Sequence, residues 1–283
     1  SASLVGSEMC IRDRLYTFSQ LKMGSYTYYK NGDYSTSPFD NTQFTIAKAV
    51  MASSCVPFAF SPIKISKKFC KEDTQTPILI DGGLYDNQGT HKLSTPKSRY
   101  HTDYIIVSDA GNTQINSKWI LNPISLLIKT SDIMMARIKT FQRQQNIYTR
   151  ANPNRYAYVP LEWDIEERLI RGFVRNIIDG NIVESLYSWH KISSEDINNL
   201  TNSDKEISKN AFENIVTTLK KSIDWDRLSK IFPDKESCKM ARSVGTNLTR
   251  LKRKKIDALI RHSEALTEIQ VRLYLPEIIE NYE

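Results

Sequence analysis

The stretch Pro77-Ile-Leu-Ile-Asp-Gly-Gly83 is a short apolar run that stops on an acid and two glycines. A run of that length, rich in β-branched residues and closed by turn residues, predicts a buried strand. A second run, Asp103-Tyr-Ile-Ile-Val107, stops in the same way at Ser108-Asp-Ala-Gly111. Two strands apolar on both faces predict a sheet covered from both sides, and therefore an α/β fold. Asp81 stands at the C-terminal end of the first strand, where open α/β sheets place their ligands. The glycines behind it let the backbone turn sharply and leave room for another group beside the carboxylate. A carboxylate so placed acts as a general base when a hydroxyl lies within about 3 Å. Taken alone, Asp-Gly-Gly is also an ordinary turn, because both residue types favour turns.

Working outward, Leu15–Phe18 and Ser25–Tyr29 alternate apolar and polar residues and predict paired strands, with Asn31-Gly32 as a turn. Thr42–Ser53 predicts a short helix with Ile46, Ala49 and Val50 on one face. Pro57 and Pro62 punctuate a loop, and Lys64–Asp73 reads as polar and exposed. Pro123 opens a long helix to about Asn146, and Tyr156–Pro160 alternates like a strand. The remainder reads as helical. Ile207, Ala211, Ile215, Val216 and Leu219 share one face, and so do Ala241, Val244, Leu248, Leu251 and Leu259. A last helix stops before Pro276. No internal repeat or low-complexity linker interrupts the chain, which favours one domain over residues 14–276. Ser1–Asp13 has neither period nor cap and reads as a non-native or disordered leader. Residues 277–283 read as a tail.

Composition narrows the class. The chain has 283 residues, 40% hydrophobic and 25% charged, which excludes disorder, collagen and coiled coil. No apolar run approaches the roughly 18 residues of a membrane-spanning helix. The first thirteen residues carry acids and no signal-like apolar stretch. Cys10, Cys55, Cys70 and Cys238 are scattered, so neither a metal site nor a disulfide framework is expected, and a cytoplasmic setting fits. The net charge of +7 is mild. The ten glycines include no G-x-G and no pair four apart. That removes dinucleotide and P-loop fingerprints and the G-x-S-x-G nucleophile elbow.

The neighbours of Asp81 carry more than the tripeptide does. Ala47–Pro57 reads A-x-A-x-x-A-S-x-x-x-P, Asp81–Asn87 reads D-G-G with a nearby Asn, and Ile105–Gly111 follows. Later come a predicted helix over Ala241–Arg261 and then His262-Ser-Glu-Ala-Leu-Thr267. In order and spacing this set resembles the patatin-like phospholipases, particularly their bacterial branch, from roughly Arg14 to Pro276. The resemblance implies a three-layer α/β/α sheet followed by a helix-rich C-terminal part. It implies hydrolysis of a lipid or acyl ester by a Ser–Asp dyad without histidine, with no cofactor and no metal. In that scheme Asp81 takes the proton of the attacking serine. Gly82, Gly83 and Asn87 support its loop. Backbone N–H groups of a glycine-rich loop hold the oxyanion.

The sequence departs from the family at one point. The glycine-rich loop and the nucleophile serine belong before Ala47–Pro57, yet no glycine in the chain has a serine two positions later. The chain therefore reads as the C-terminal portion of such a domain, truncated at its N-terminal side. It carries the base without the nucleophile and is expected to be inactive as an esterase. The alternative is a non-catalytic patatin-like module that binds lipid or protein.

Other groups receive plainer readings. Ser53 and Ser54 sit at a helix end, where capping explains them. His91, His101, His190 and His262 show no metal spacing and read as surface or core residues. Asp109 reads as a turn residue, and Asp86 and Asn87 as shaping the loop after Asp81. The basic run Arg250-Leu-Lys-Arg-Lys-Lys255 reads as a solvated helix face. Beside an anionic bilayer each such charge would contribute about 1 kcal/mol, so peripheral membrane contact is the alternative to the preferred solvated face. Stacking aromatics do not interleave with these charges, so no nucleic-acid partner is expected.

Overall fold

The computed structural model describes residues 6–10, 14–18, 23–25, 43–70, 76–94, 101–111, 123–144, 155–245 and 250–280. The chain divides into two compact units: Ser1–Thr102 with Ile115–Gln144, and Asp103–Gln114 with Gln145–Glu283.

The first unit is built on a five-stranded sheet of β1 (Gly6–Cys10), β2 (Arg14–Phe18), β3 (Met23–Ser25), β4 (Ile63–Lys64) and β5 (Ile78–Asp81). The strand order is β3-β2-β1-β5-β4, and every pairing is antiparallel. Gly6–Cys10, inside the stretch read as a leader, is thus the middle strand, with Met9 opposite Leu15 on one side and Ile80 on the other. The strand read at Ser25–Tyr29 is seen as Met23–Ser25. Its remainder and the Asn31-Gly32 turn lie outside the described residues.

The core of this unit gathers Tyr16, Phe18, Met23, Ala52, Ile65, Phe69 and Leu79. Phe44 stacks on Phe18 at 4.8 Å and meets Phe69 edge-on at 5.1 Å. Two expectations are corrected here. Lys64–Asp73 is not uniformly exposed, because Ile65 and Phe69, four residues apart among lysines, turn inward. Helix α1 (Ile46–Ser53) begins on a Thr45 cap, as the pattern around Thr42–Ser53 suggests, but it buries Ala52 and leaves Ile46 70% exposed. Its small residues face the sheet because they permit close approach, and the larger Ile46 and Val50 stay outside. The loop after α1 holds Phe58 at φ +67° with the residue 57% exposed. Three more helices complete the unit: α2 (Gly83–Asp86), α3 (His91–Ser94) and α4 (Pro123–Gln142).

The second unit contains a parallel pair, β6 (Tyr104–Asp109) and β7 (Arg155–Pro160), in register from Tyr104 opposite Arg155 to Asp109 opposite Pro160. β7 is buried from Tyr156 to Pro160. β6 alternates instead: Ile105, Val107 and Asp109 point inward, while Ile106 is 50% exposed. Among the described residues β5 and β6 belong to separate sheets, so the expectation of one sheet covered on both faces is corrected.

Eight helices follow: α5 (Arg168–Ile178), α6 (Glu184–Trp189), α7 (Ser194–Asn199), α8 (Lys205–Ser222), α9 (Trp225–Ile231), α10 (Lys235–Arg242), α11 (Arg253–Tyr274) and α12 (Pro276–Glu280). This is the helix-rich C-terminal part, and the fold as a whole is mixed α/β. The core packs Val159, Phe173, Ile215, Leu219, Leu228 and Leu266 together. On α8, Ala211, Ile215, Val216 and Leu219 are buried as the pattern requires. Ile207 stays 41% exposed in the first turn, where Asp204 Oδ1 caps the N–H groups of Glu206 and Ile207. The single helix expected over Ala241–Arg261 is corrected: α10 ends at Arg242 and α11 begins at Arg253. Leu248 lies outside the described residues.

Candidate active site

Asp81 is the last residue of β5, as its place at the end of an apolar run predicts. Its backbone N–H donates to the Cys55 carbonyl at 3.0 Å, which fastens the loop after α1 to the strand tip. Its Oδ1 accepts the Gly83 N–H at 2.6 Å. A Cβ at position 83 would stand 2.9 Å from that oxygen, 3.0 Å from Asn87 Oδ1 and 3.1 Å from Met135 Sδ. Contacts this short exclude a side chain, so Gly83 is there for close approach. The sharp turn expected of the glycine pair is corrected: neither glycine has a left-handed backbone, and Gly82, at φ −68°, leads straight into α2.

Asp86, the last residue of α2, and Asn87 after it hold this corner together. Asn87 Nδ2 donates to the Met135 carbonyl on α4 at 3.2 Å. Asp86 is buried. Its Oδ1 accepts the Thr90 N–H at 3.1 Å and Gln142 Nε2 at 2.9 Å, and its Oδ2 accepts the His91 N–H at 2.9 Å. Asp86 therefore joins α2 to α3 and α4.

The Asp81 carboxyl is partly buried, and burial pushes its pKa above the ordinary carboxylate range, with the Gly83 hydrogen bond opposing. A carboxyl raised in the folded state binds its proton more tightly there than in the unfolded chain. Its contribution to stability is therefore most favourable at low pH. That contribution weakens as pH climbs from about 3.9 through the folded-state pKa. Asp81→Asn removes this penalty. Its melting temperature should exceed that of the unmodified chain at pH 7, and the gap should close below about pH 4. Thermal melts from pH 3 to pH 8 check this, and a variant that melts lower at neutral pH would contradict it.

The remaining residues take other places. Ser54 donates Oγ to the Val50 carbonyl at 2.6 Å and closes α1. Asp109 is buried at the end of β6 in the second unit, where it accepts the Tyr158 hydroxyl and, at 3.0 Å, the Gly111 N–H. His91 lies edge-on to Tyr85 at 5.5 Å. His190 and His262 are buried, and burial lowers the pKa of both. The basic run straddles a boundary: Arg250–Lys252 precede α11, and Arg253–Lys255 form its first turn. Sequence spacing gave no hint of the hydrogen bond between His190 and Ser222, 32 residues apart. Among the described residues no group of three or more His, Cys, Asp or Glu side chains is placed to hold a metal.

Residues 10–93 match the family model of patatin-like phospholipase. Over these residues the chain is similar to that family. The match takes in α1, the Ala47–Pro57 motif, β5, Asp81 and α2, which is the corner just described. It is narrower than the span from Arg14 to Pro276 over which the sequence resembles the family. No curated protein and no solved structure matches the chain. Patatin-like proteins are typically ester hydrolases that act on lipids. Among the described residues no helix is long and apolar enough to cross a membrane.

Proposed function

We propose that the chain serves in the hydrolysis of lipid acyl esters, with Asp81 as the general base of a Ser–Asp dyad. The supporting observation is the asymmetry of its carboxylate. Oδ1 is fixed on the Gly83 N–H, whereas Oδ2 has no hydrogen bond to a described residue. Oδ2 is the atom to take a proton from a serine hydroxyl attacking an ester carbonyl. The acyl group passes to that serine, and water then releases the fatty acid. A base works best when its pKa approaches the working pH, and burial moves Asp81 in that direction. Gly82, Gly83 and Asn87 hold the base in place.

The nucleophile of this scheme is not among the 283 residues, since no G-x-S-x-G occurs. The chain alone is therefore expected to show no Asp81-dependent turnover. The coding sequence upstream of codon 1 tests this reading. It should encode a strand, a G-x-S-x-G turn and a helix. An extended chain carrying them should hydrolyse 4-nitrophenyl butyrate, and Asp81→Asn should lower that kcat by about 10²–10⁴-fold. Undiminished activity in the variant would remove Asp81 from the reaction.

A further inference from the structure

His190, 1% exposed, is the C-cap residue of α6 in the second unit. Its Nε2 lies 2.9 Å from the Leu273 carbonyl oxygen, and its Nδ1 lies 2.7 Å from the Ser222 hydroxyl. A carbonyl oxygen only accepts, so Nε2 carries the proton. Burial favours the neutral imidazole, which leaves a lone pair on Nδ1. Ser222 therefore donates its O–H to that lone pair.

This is the arrangement an activated serine requires: a hydroxyl on a base, and a third group that fixes the base's tautomer. Here the third group is a backbone carbonyl. Ser222 is the exposed last residue of α8. It opens into a groove of about 550 Å³ lined by Trp189, His190, Lys191, Thr218, Lys221 and Ser222. Trp189 offers an apolar wall. Lys191 and Lys221 also line the groove and give its wall positive charge.

We propose that Ser222 and His190 are a nucleophile–base pair that hydrolyses small acyl esters bearing a negative charge. Ser222 Oγ bonds to the ester carbonyl carbon while its proton moves to His190 Nδ1. The carbon–alkoxy bond then breaks, and the alcohol leaves with that proton. Water attacks the acyl-serine and gives a proton to Nδ1. Expulsion of the carboxylic acid returns that proton to Ser222. The site is independent of Asp81.

The test treats the pure folded chain with a fluorophosphonate probe and maps adducts by mass spectrometry of its peptides. Ser222 should be modified at least about tenfold faster than any other serine, and unfolding in urea should abolish the preference. His190→Gln should slow the modification by about 10²-fold or more. The adduct map of the unmodified chain needs no variant, so it decides the matter even where His190→Gln does not fold. In a second readout 4-nitrophenyl hemisuccinate should be cleaved faster than 4-nitrophenyl acetate, with the activity lost in Ser222→Ala. Modification of Ser222 no faster than that of other exposed serines would overturn the proposal, as would hydrolysis unchanged in Ser222→Ala.

Discussion

Replacing Phe173 by alanine should cost the second unit about 3–5 kcal/mol, the range for truncating a large buried aromatic. The ring is fully buried within the cluster that includes Ile170, Ile215, Leu219 and Leu266. It also meets Tyr274 edge-on at 4.9 Å and His190 at 5.6 Å. Neighbours on several elements cannot all close the space, so a cavity remains and its cost adds to the lost transfer energy. Against a typical stability of about 5–15 kcal/mol this is a large fraction. At a slope of about 1–3 kcal/mol/M, the urea midpoint should fall by at least about 1 M. Trp163, Trp189 and Trp225 all lie in this unit, and their fluorescence reports the transition. A loss under about 1 kcal/mol would mean that the ring is not packed as described. Because Phe173 also supports His190, the variant should lose probe reactivity at Ser222 in parallel.

Asp86→Ala should destabilise the first unit by about 2–4 kcal/mol. The carboxylate satisfies three donors: the N–H groups of Thr90 and His91 and the Gln142 amide. Alanine leaves the Thr90 and His91 N–H groups without their acceptor and the Gln142 amide with only the Tyr85 carbonyl at 3.4 Å, and an unsatisfied buried group costs about 1–3 kcal/mol. The three costs overlap because the same loop relaxes around all of them, which sets the total below their sum. Asp86→Asn keeps one acceptor oxygen and should lose roughly half as much. Since α2 carries Gly83, the alanine variant should also loosen the hydrogen bond on Asp81 Oδ1. Carboxyl-detected NMR of Asp81 in both variants separates them. A stability change within about 0.5 kcal/mol, as for an ordinary surface site, would contradict the assignment.

The corner around Asp81 was legible because every signal there is local. A β-branched run ends on an acid, and a Ser-capped alanine helix precedes it at a fixed distance. The strand at Arg155–Pro160 and the inner face of α8 were readable for the same reason, their periods being short and their runs unbroken. Other elements depend on partners distant in sequence. Gly6–Cys10 shows no alternation of its own and becomes a strand through pairing with β2 and β5. Ile65 and Phe69 are inward only because Phe44 and Leu79 come to meet them, which a lysine-rich stretch does not announce. The break between α10 and α11 falls among residues that keep a helical period on both sides. His190 and Ser222 follow no spacing rule, and their helices bring them together. The reach of the resemblance shows the same division: the family model stops at residue 93, within the first unit.

Phe58 carries a consequence of its own. An L-residue with a bulky side chain is strained by roughly 1–2 kcal/mol in the left-handed region. Burial gives little in return, since more than half of the residue's surface stays in water. The strain sits three residues from Cys55, whose carbonyl holds the Asp81 N–H. A glycine at 58 would relax the backbone and take an aromatic ring out of solvent, leaving the first unit harder to melt. Folding stability alone does not account for a phenylalanine at this position.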